Sequence, residues 1–273
     1  VTGVGLDPQR RLDRTGVQLT KRLRKEMQVA AVILNVLIGM VTSVISGGSI
    51  WLWQQGRNNR LLHRKAAFFG LGRGVECLIV MNDKYSKPGT TAQHDVHAMI
   101  DIATLAAELD SPISVTKGAD FRGHNGDSTE FCIGGPARGS NPRTGGHLAA
   151  HLPGVKLRPY SSDEDSLAFM VGERRFLCDR RNREHVLIAK FTPRGSTRPV
   201  IVLCGQTSVG NRAGIAFLKR EYRTLAKTLA STSRFCIMVR VDSIATFGHE
   251  ATSLAADVTT EAFEPAERAA AAG

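Results

Sequence analysis

Apolar and polar positions divide this chain into two unlike parts. From Val29 to Trp53 no side chain carries a charge, and past Gly74 short apolar runs alternate with longer amphipathic stretches. The uncharged run, VAAVILNVLIGMVTSVISGGSIWLW, would reach about 37 Å as a helix. A bilayer's hydrocarbon core is about 30 Å thick, so residues 29–53 predict one modestly tilted membrane span. Trp51 and Trp53 fall at one predicted interface, and Lys21, Arg22, Arg24 and Lys25 beyond the other. A cleaved signal peptide shares the basic-then-apolar order. Here the lead-in is 28 residues long, the apolar run exceeds the usual stretch of about 7 to 15, and no A-x-A site follows, so an uncleaved signal anchor is expected.

The second pattern predicts an α/β fold. Strands are expected at residues 75–81, 113–116, 129–133, 199–204 and 235–241. Helices are expected at 91–109, 142–151, 213–229 and around 254–263. In the first helix Val96, Met99, Ile100, Ala103, Leu105 and Ala106 form the apolar face. Two hairpins, one over 167–177 turning near Gly172 and one joining 185–191 to 199–204, are expected to add antiparallel pairing to the sheet. The expected architecture is therefore a Rossmann-like, mostly parallel sheet with antiparallel hairpin insertions, preceded by one N-terminal transmembrane helix. Its divisions are a basic N-terminal segment (1–28), the span (29–53), a basic juxtamembrane linker (54–74), the α/β domain (75–263) and a disordered tail (264–273).

Charge changes this picture through its placement. The formal net charge is +11, but residues 1–74 hold 12 Lys and Arg against 3 acids, leaving 24 against 22 for the rest. The excess flanks the span, where anionic headgroups are the natural partner, and a nucleic-acid face is disfavoured. On the near flank Arg14, Lys21, Arg22, Arg24 and Lys25 stand against Arg57, Arg60, Arg64 and Lys65 on the far flank, a count that barely sets an orientation and leans slightly to an inside N-terminus. Cys77, Cys132, Cys178, Cys204 and Cys236 are odd in number, widely spaced and set in or beside apolar runs. They read as reduced core thiols, which places the domain in the cytoplasm of a single-pass protein of the cell membrane. Within the span Ala31, Asn35, Gly39, Ser43 and Gly47 recur at every fourth position, a small-residue stripe through which two copies could associate.

Candidate chemistry gathers at strand ends. Residues 129–133 run into Gly134, Gly135, Pro136 and Ala137, then through Asn141 into a helix carrying Thr144. Glycines let backbone approach a ligand and free amides at a helix start favour anions. Asn141 and Thr144 are candidate caps, and Arg138 or Arg143 could pair with a phosphate. A second junction, Gly205, Gln206, Thr207, then Gly210 and Asn211, repeats the arrangement as a loop before residue 213. Both loops would face one crevice if their strands are parallel neighbours; ordinary strand-to-helix turns have the same composition. Neither loop matches G-x-G-x-x-G or G-x-x-x-x-G-K-[ST].

Asn82, Asp83 and Tyr85 follow the first strand, and Asp83 is the preferred polar contact outside the glycine loops. His94, Asp95, His97 and Asp101 offer two imidazoles and two carboxylates but lack an identifiable third ligand, so no metal site is assigned. Asp127 and Glu130 read as solvated, and no thiol pKa is expected to be lowered at Cys132 or Cys204. No cofactor is indicated, and no G-x-S-x-G elbow is present.

The stretches TEFCIGGPARGSNPRTGGHLAAHLPG and KFTPRGSTRPVIVLCGQTSVGNRAGIAFLKREY resemble membrane-anchored actinomycete proteins of uncharacterised function with a Rossmann-like domain. Their two loops are distantly similar to the nucleotide-binding SLOG and TIR-like sensor domains. That resemblance implies recognition or cleavage of a nucleotide-like ligand. The P-G-G-x-G-T-type loop and catalytic Glu of the lysine-decarboxylase-like branch are not reproduced, since Pro136 follows the glycine pair and the next helix holds no Glu. The leading expectation is a membrane-tethered sensor or effector that binds a nucleotide or other phosphorylated small molecule. The alternatives are a nucleotide-processing hydrolase or glycosyl-transfer enzyme using Asp83 or Glu130, and a structural membrane protein that docks a partner.

Overall fold

The computed structural model describes residues 8–84, 86–87, 89–123, 125–179 and 182–264. Tyr85, the side chain of Arg138 and most of the predicted tail lie outside the described residues. The chain divides into two compact units, Val1–Leu61 and Leu62–Gly273.

The described part of the first unit is helical, within α1 (Pro8–Phe69). Lys21–Ser43 is long and apolar enough to cross a membrane, and none of that window is buried. A core helix would cover such side chains, whereas Ile33, Leu34 and Val41 are each more than half exposed. A signal sequence has the same length and apolarity. The window starts earlier than residue 29, and the side chains at 44–48 and 50 lie outside the described residues. Thr42 and Ser43 donate back to the carbonyls of Ile38 and Gly39 at 2.6 and 2.8 Å, which satisfies their hydroxyls within an apolar helix.

The second unit is the α/β domain, and it begins before residue 75. Phe68, Phe69 and Leu71 are buried, with Phe68 stacked on Phe235 at 5.9 Å. Their burial carries the end of the 54–74 stretch, residues 68–71, from linker into core. In chain order the domain continues with β1 (Cys77–Met81), α2 (Gln93–Glu108), β2 (Ile113–Lys117), β3 (Thr129–Ile133), α3 (Pro142–His151), β4 (Val155–Leu157), β5 (Phe169–Val171) and β6 (Arg174–Phe176). It closes with β7 (Arg183–Phe191), β8 (Val200–Gly205), α4 (Ser208–Thr228), β9 (Phe235–Asp242), α5 (Ile244–Phe247), β10 (Thr252–Asp257) and α6 (Thr259–Phe263).

Seven strands form the main sheet in the order β10-β9-β7-β8-β3-β1-β2. β2, β1, β3 and β8 are parallel neighbours. β7 runs antiparallel between β8 and β9, and β10 antiparallel along β9. The central strands β1 and β3 are buried along their full length, as expected of strands covered on both faces. One face packs on α2, α4 and the end of α1 around Ile79, Phe131, Leu203 and Ile237. The other packs on α3, α6 and a small antiparallel sheet, β4-β5-β6, around Val80, Cys132, Val202 and Met238.

Four expectations are corrected. The 167–177 hairpin forms, as β5 and β6, but joins β4 in the separate sheet; β7 already has partners on both edges. The helix expected around 254–263 is β10 followed by the single turn of α6. The outer edge of β9 is open to pairing, and its backbone hydrogen bonds outweigh the helix preference of Leu254, Ala255 and Ala256. The loop expected over 205–212 ends at Thr207, because α4 starts at Ser208 with the Thr207 side chain capping Val209 N. The buried face of α2 runs through Asp95, Ala98, Ile102 and Leu105, leaving Ile100 half exposed. The apolar pattern missed this rotation because a carboxylate, Asp95, lies on the inner face.

Candidate functional site

The parallel strands β1, β3 and β8 end side by side, and each passes straight into a polar turn. After β1 comes Asn82, after β3 Gly134 and Gly135, and at the end of β8 Gly205, Gln206 and Thr207. Close approach is enforced by two glycines. Gly134 has φ +88°, and a Cβ there would fall 2.5 Å from the Asn82 side chain; a Cβ on Gly205 would fall 2.7 Å from the backbone of Thr207, Gly210 and Asn211. The turns enclose a crevice of about 360 Å³, within the range of small-ligand sites.

The crevice floor is a hydrogen-bonded acid. Asp95, fully buried in the first turn of α2, accepts from Asn211 Nδ2 at 2.7 Å and from Asn82 Nδ2 at 3.3 Å. Asn211 Oδ1 in turn accepts from Gly205 N at 2.7 Å. Burial pushes the Asp95 pKa up, and the two amide donors only partly offset it. Asn82 Oδ1 is buried without a partner. Leu157, Pro159, Tyr160 and Leu167 make an apolar wall, and Lys84 is a cation at the edge. Leu167 has φ +62°, a strained conformation for leucine.

Of the residues predicted to bind ligand, Gly135, Gly205, Gln206, Thr207 and Asn211 line this crevice. Gln206 is engaged on every side: its Oε1 accepts from His185 N at 2.7 Å, and its Nε2 donates to the carbonyls of Leu167 and Phe176 at 3.0 and 2.8 Å. Its side chain ties the Leu167 wall to β7. Thr207 donates to Glu184 Oε2 at 2.6 Å. The amides of Thr207 and Gly210 face the buried Glu184 carboxylate without a well-formed hydrogen bond to Oε1. Burial outweighs these donors and the Glu184 pKa is pushed up to about 7.

Five predicted residues stand behind the lining. Gly134 lies under Asn82, and Gly210 packs on Gly205 and Glu184. Asp83 N donates to Ser140 O at 2.8 Å. Asn141 is the buried cap of α3, accepting from Thr144 N at 3.1 Å and donating to Ile133 O at 2.8 Å. Thr144 is buried behind it. Sequence reasoning missed Asn82 and Asp95 as one unit, Lys84, and the wall from Leu157 to Leu167; no local pattern announces that wall.

A second buried acid lies on the α3 face. Glu130 is fully buried, correcting its reading as solvated, and Arg143 grips both its oxygens at 2.8 Å. His147 Nε2 lies 2.9 Å from Oε1, and Cys132 Sγ donates to Oε1 at 3.0 Å. Burial alone would raise the Glu130 pKa, but the hydrogen bonds from Arg143 and His147 and the neighbouring positive charge bring it to about 2. An ionised carboxylate only accepts, so His147 carries its proton on Nε2. Donor atoms of Glu130, Cys132 and His147 lie within 4.8 Å of one another, yet this set suits a metal poorly. Arg143 already neutralises the carboxylate, and burial holds the Cys132 thiol well above its ordinary pKa, whereas a metal ligand must be thiolate. The Arg143 charge is therefore spent on Glu130. Burial also pushes the thiols of Cys77 and Cys204 up to about 12.

His94, Asp95, His97 and Asp101 do not converge. Asp95 turns inward, Asp101 pairs with Lys219 at 3.0 Å, and His97 Nδ1 accepts from Arg212 at 3.1 Å.

Fold and crevice together define an α/β protein with a polar-floored, apolar-walled site beyond the carboxyl ends of adjacent parallel strands. No protein-family model and no curated protein matches the chain.

Proposed function

We propose that the protein is a membrane-anchored, single-pass sensor or effector whose cytoplasmic domain binds a nucleotide or other phosphorylated small molecule in this crevice. One observation carries the reading: three parallel strand ends meet the first turn of α4 around a cavity with an apolar wall, a cation and a buried acceptor floor. A planar group fits the wall of Leu157, Pro159 and Tyr160. Lys84 favours an anionic group. Asp95 and Asn82 Oδ1 accept from ligand hydroxyl or amino groups. Association through the stripe containing Gly39 and Gly47 would couple occupancy to oligomeric state.

The test is thermal unfolding of the full chain in detergent against a nucleotide panel. A binder at a hundred times its Kd stabilises the folded state by about 2.7 kcal/mol, which raises the melting temperature by several degrees. An unchanged melting temperature across the panel would remove the reading. Gly39→Leu/Gly47→Leu should abolish association of the membrane segment in a reporter assay; persistence would exclude coupling by this route.

The enzymatic reading gains one support, a buried carboxylate of raised pKa, Asp95, on the crevice floor. It requires turnover of labelled NAD or nucleosides that is lost in Asp95→Asn.

A further inference from the structure

The connection from β2 to β3 is unusual for a parallel sheet. It skips over β1 using residues 118–128, whose described residues form no helix. Phe121 from this loop packs on the core of the α3 face, so the crossover lies where a helix would ordinarily cover the sheet. Between this loop, α3 and the β7-β8 turn lies a groove of about 770 Å³, ample for a metabolite-sized ligand.

Its charged lining has one sign. Arg122, Arg143 and Arg194 line it together with His147 and His151, and no acidic side chain does among the described residues. Glu130, beneath Arg143 and His147, is fully occupied by them. Arg143 is fixed at the floor, with its guanidinium 4.5 Å from the Phe121 ring centre. Arg122 and Arg194 are exposed and make no ion pair among the described residues. His151 stacks beside Phe191 at 4.8 Å and His147 at 5.8 Å. Burial, with the charges of His147 and Arg143, lowers its pKa. Phe121 and Pro193 supply an apolar wall.

We propose that this groove is a second binding site, separate from the strand-end crevice, for a ligand bearing a phosphate group held by Arg122, Arg194 and His151. Two exposed arginines lining one groove over an arginine-carboxylate floor suit the several acceptor oxygens of a phosphate better than a single carboxylate. The anion reverses the electrostatic cause of the low His151 pKa, so binding is linked to proton uptake at that ring.

The experiment titrates inorganic pyrophosphate into the full chain in zwitterionic nanodiscs, by calorimetry and by the histidine ring NMR signals, at constant ionic strength. Saturable binding with an upward shift of the His151 titration midpoint is expected. Arg122→Ser/Arg194→Ser should weaken it by about tenfold or more, equivalent to about 1.4 kcal/mol, with the melting temperature unchanged. Lys84→Ala, in the other crevice, should leave it intact. Repeating the titration in nanodiscs containing phosphatidic acid separates a lipid headgroup from a free phosphate. Competition by the lipid, with the same His151 shift, assigns the headgroup; undiminished binding assigns the soluble ligand. Absence of binding at millimolar pyrophosphate, equal binding by the double variant, or loss in Lys84→Ala instead would overturn the proposal.

Discussion

The two sides of the sheet treat a buried carboxylate in opposite ways. On the α3 face Glu130 meets a guanidinium and an imidazole and is held ionised, with a pKa of about 2. At the strand ends Asp95 and Glu184 are buried as deeply, but amides and a hydroxyl are their main partners, and both pKa values are raised. Burial is common to all three acids, so the sign of the shift follows from whether a positive charge shares the site. The first arrangement locks an ion pair under α3. The second leaves one acid at the α4 start, Glu184, able to change charge near pH 7.

The largest test breaks the locked side. Arg143→Ala strands Glu130 in the core and should destabilise the domain by about 3–5 kcal/mol, read by urea unfolding of the full chain in detergent. Replacing Arg143 and Glu130 together by Leu should restore most of the loss. A single variant as stable as wild type would show that Arg143 is not needed to keep Glu130 ionised.

Next comes the pH dependence of the raised side. The folded-state pKa of Glu184, about 7, lies above its ordinary value of 4.5, so folding favours the protonated form. Its stabilising effect is complete below pH 4.5 and is lost as the pH rises through 7, by about 3 kcal/mol in all. Glu130 behaves oppositely: its contribution is present above pH 4.5 and is lost as the pH falls toward 2. The wild type minus Glu184→Gln difference in stability isolates the first effect, and a flat difference between pH 5 and 8 would refute it.

A smaller change perturbs the crevice backbone. Gly205→Ala places a methyl against Thr207, Gly210 and Asn211 and should cost about 2 kcal/mol, while Gly139→Ala, with open space at its Cβ position, pays only for its positive φ. Chemical denaturation of the pair compares them; equal costs would mean that steric approach at Gly205 is unimportant. Smallest is Lys84→Ala, expected to change stability by less than about 0.5 kcal/mol while reducing any nucleotide-induced rise in melting temperature. An undiminished rise would remove Lys84 from the site.

Local pattern carried the sequence a long way. An uncharged run of helical length stands out without any partner, and β3 and α3 match their predicted bounds because each is set by its own apolar period and by flanking glycine, asparagine and proline. Asn141 is legible as a cap for the same reason. What tertiary structure alone decided is which distant groups meet. Asp95 pairs with Asn211 across 116 positions, and β10 forms because β9 offers an open edge. Whether a carboxylate is solvated or buried, and beside which charge, depends on strand order and on the loop that replaces a helix after β2. Those are properties of long-range packing, and the residues themselves look the same in either setting.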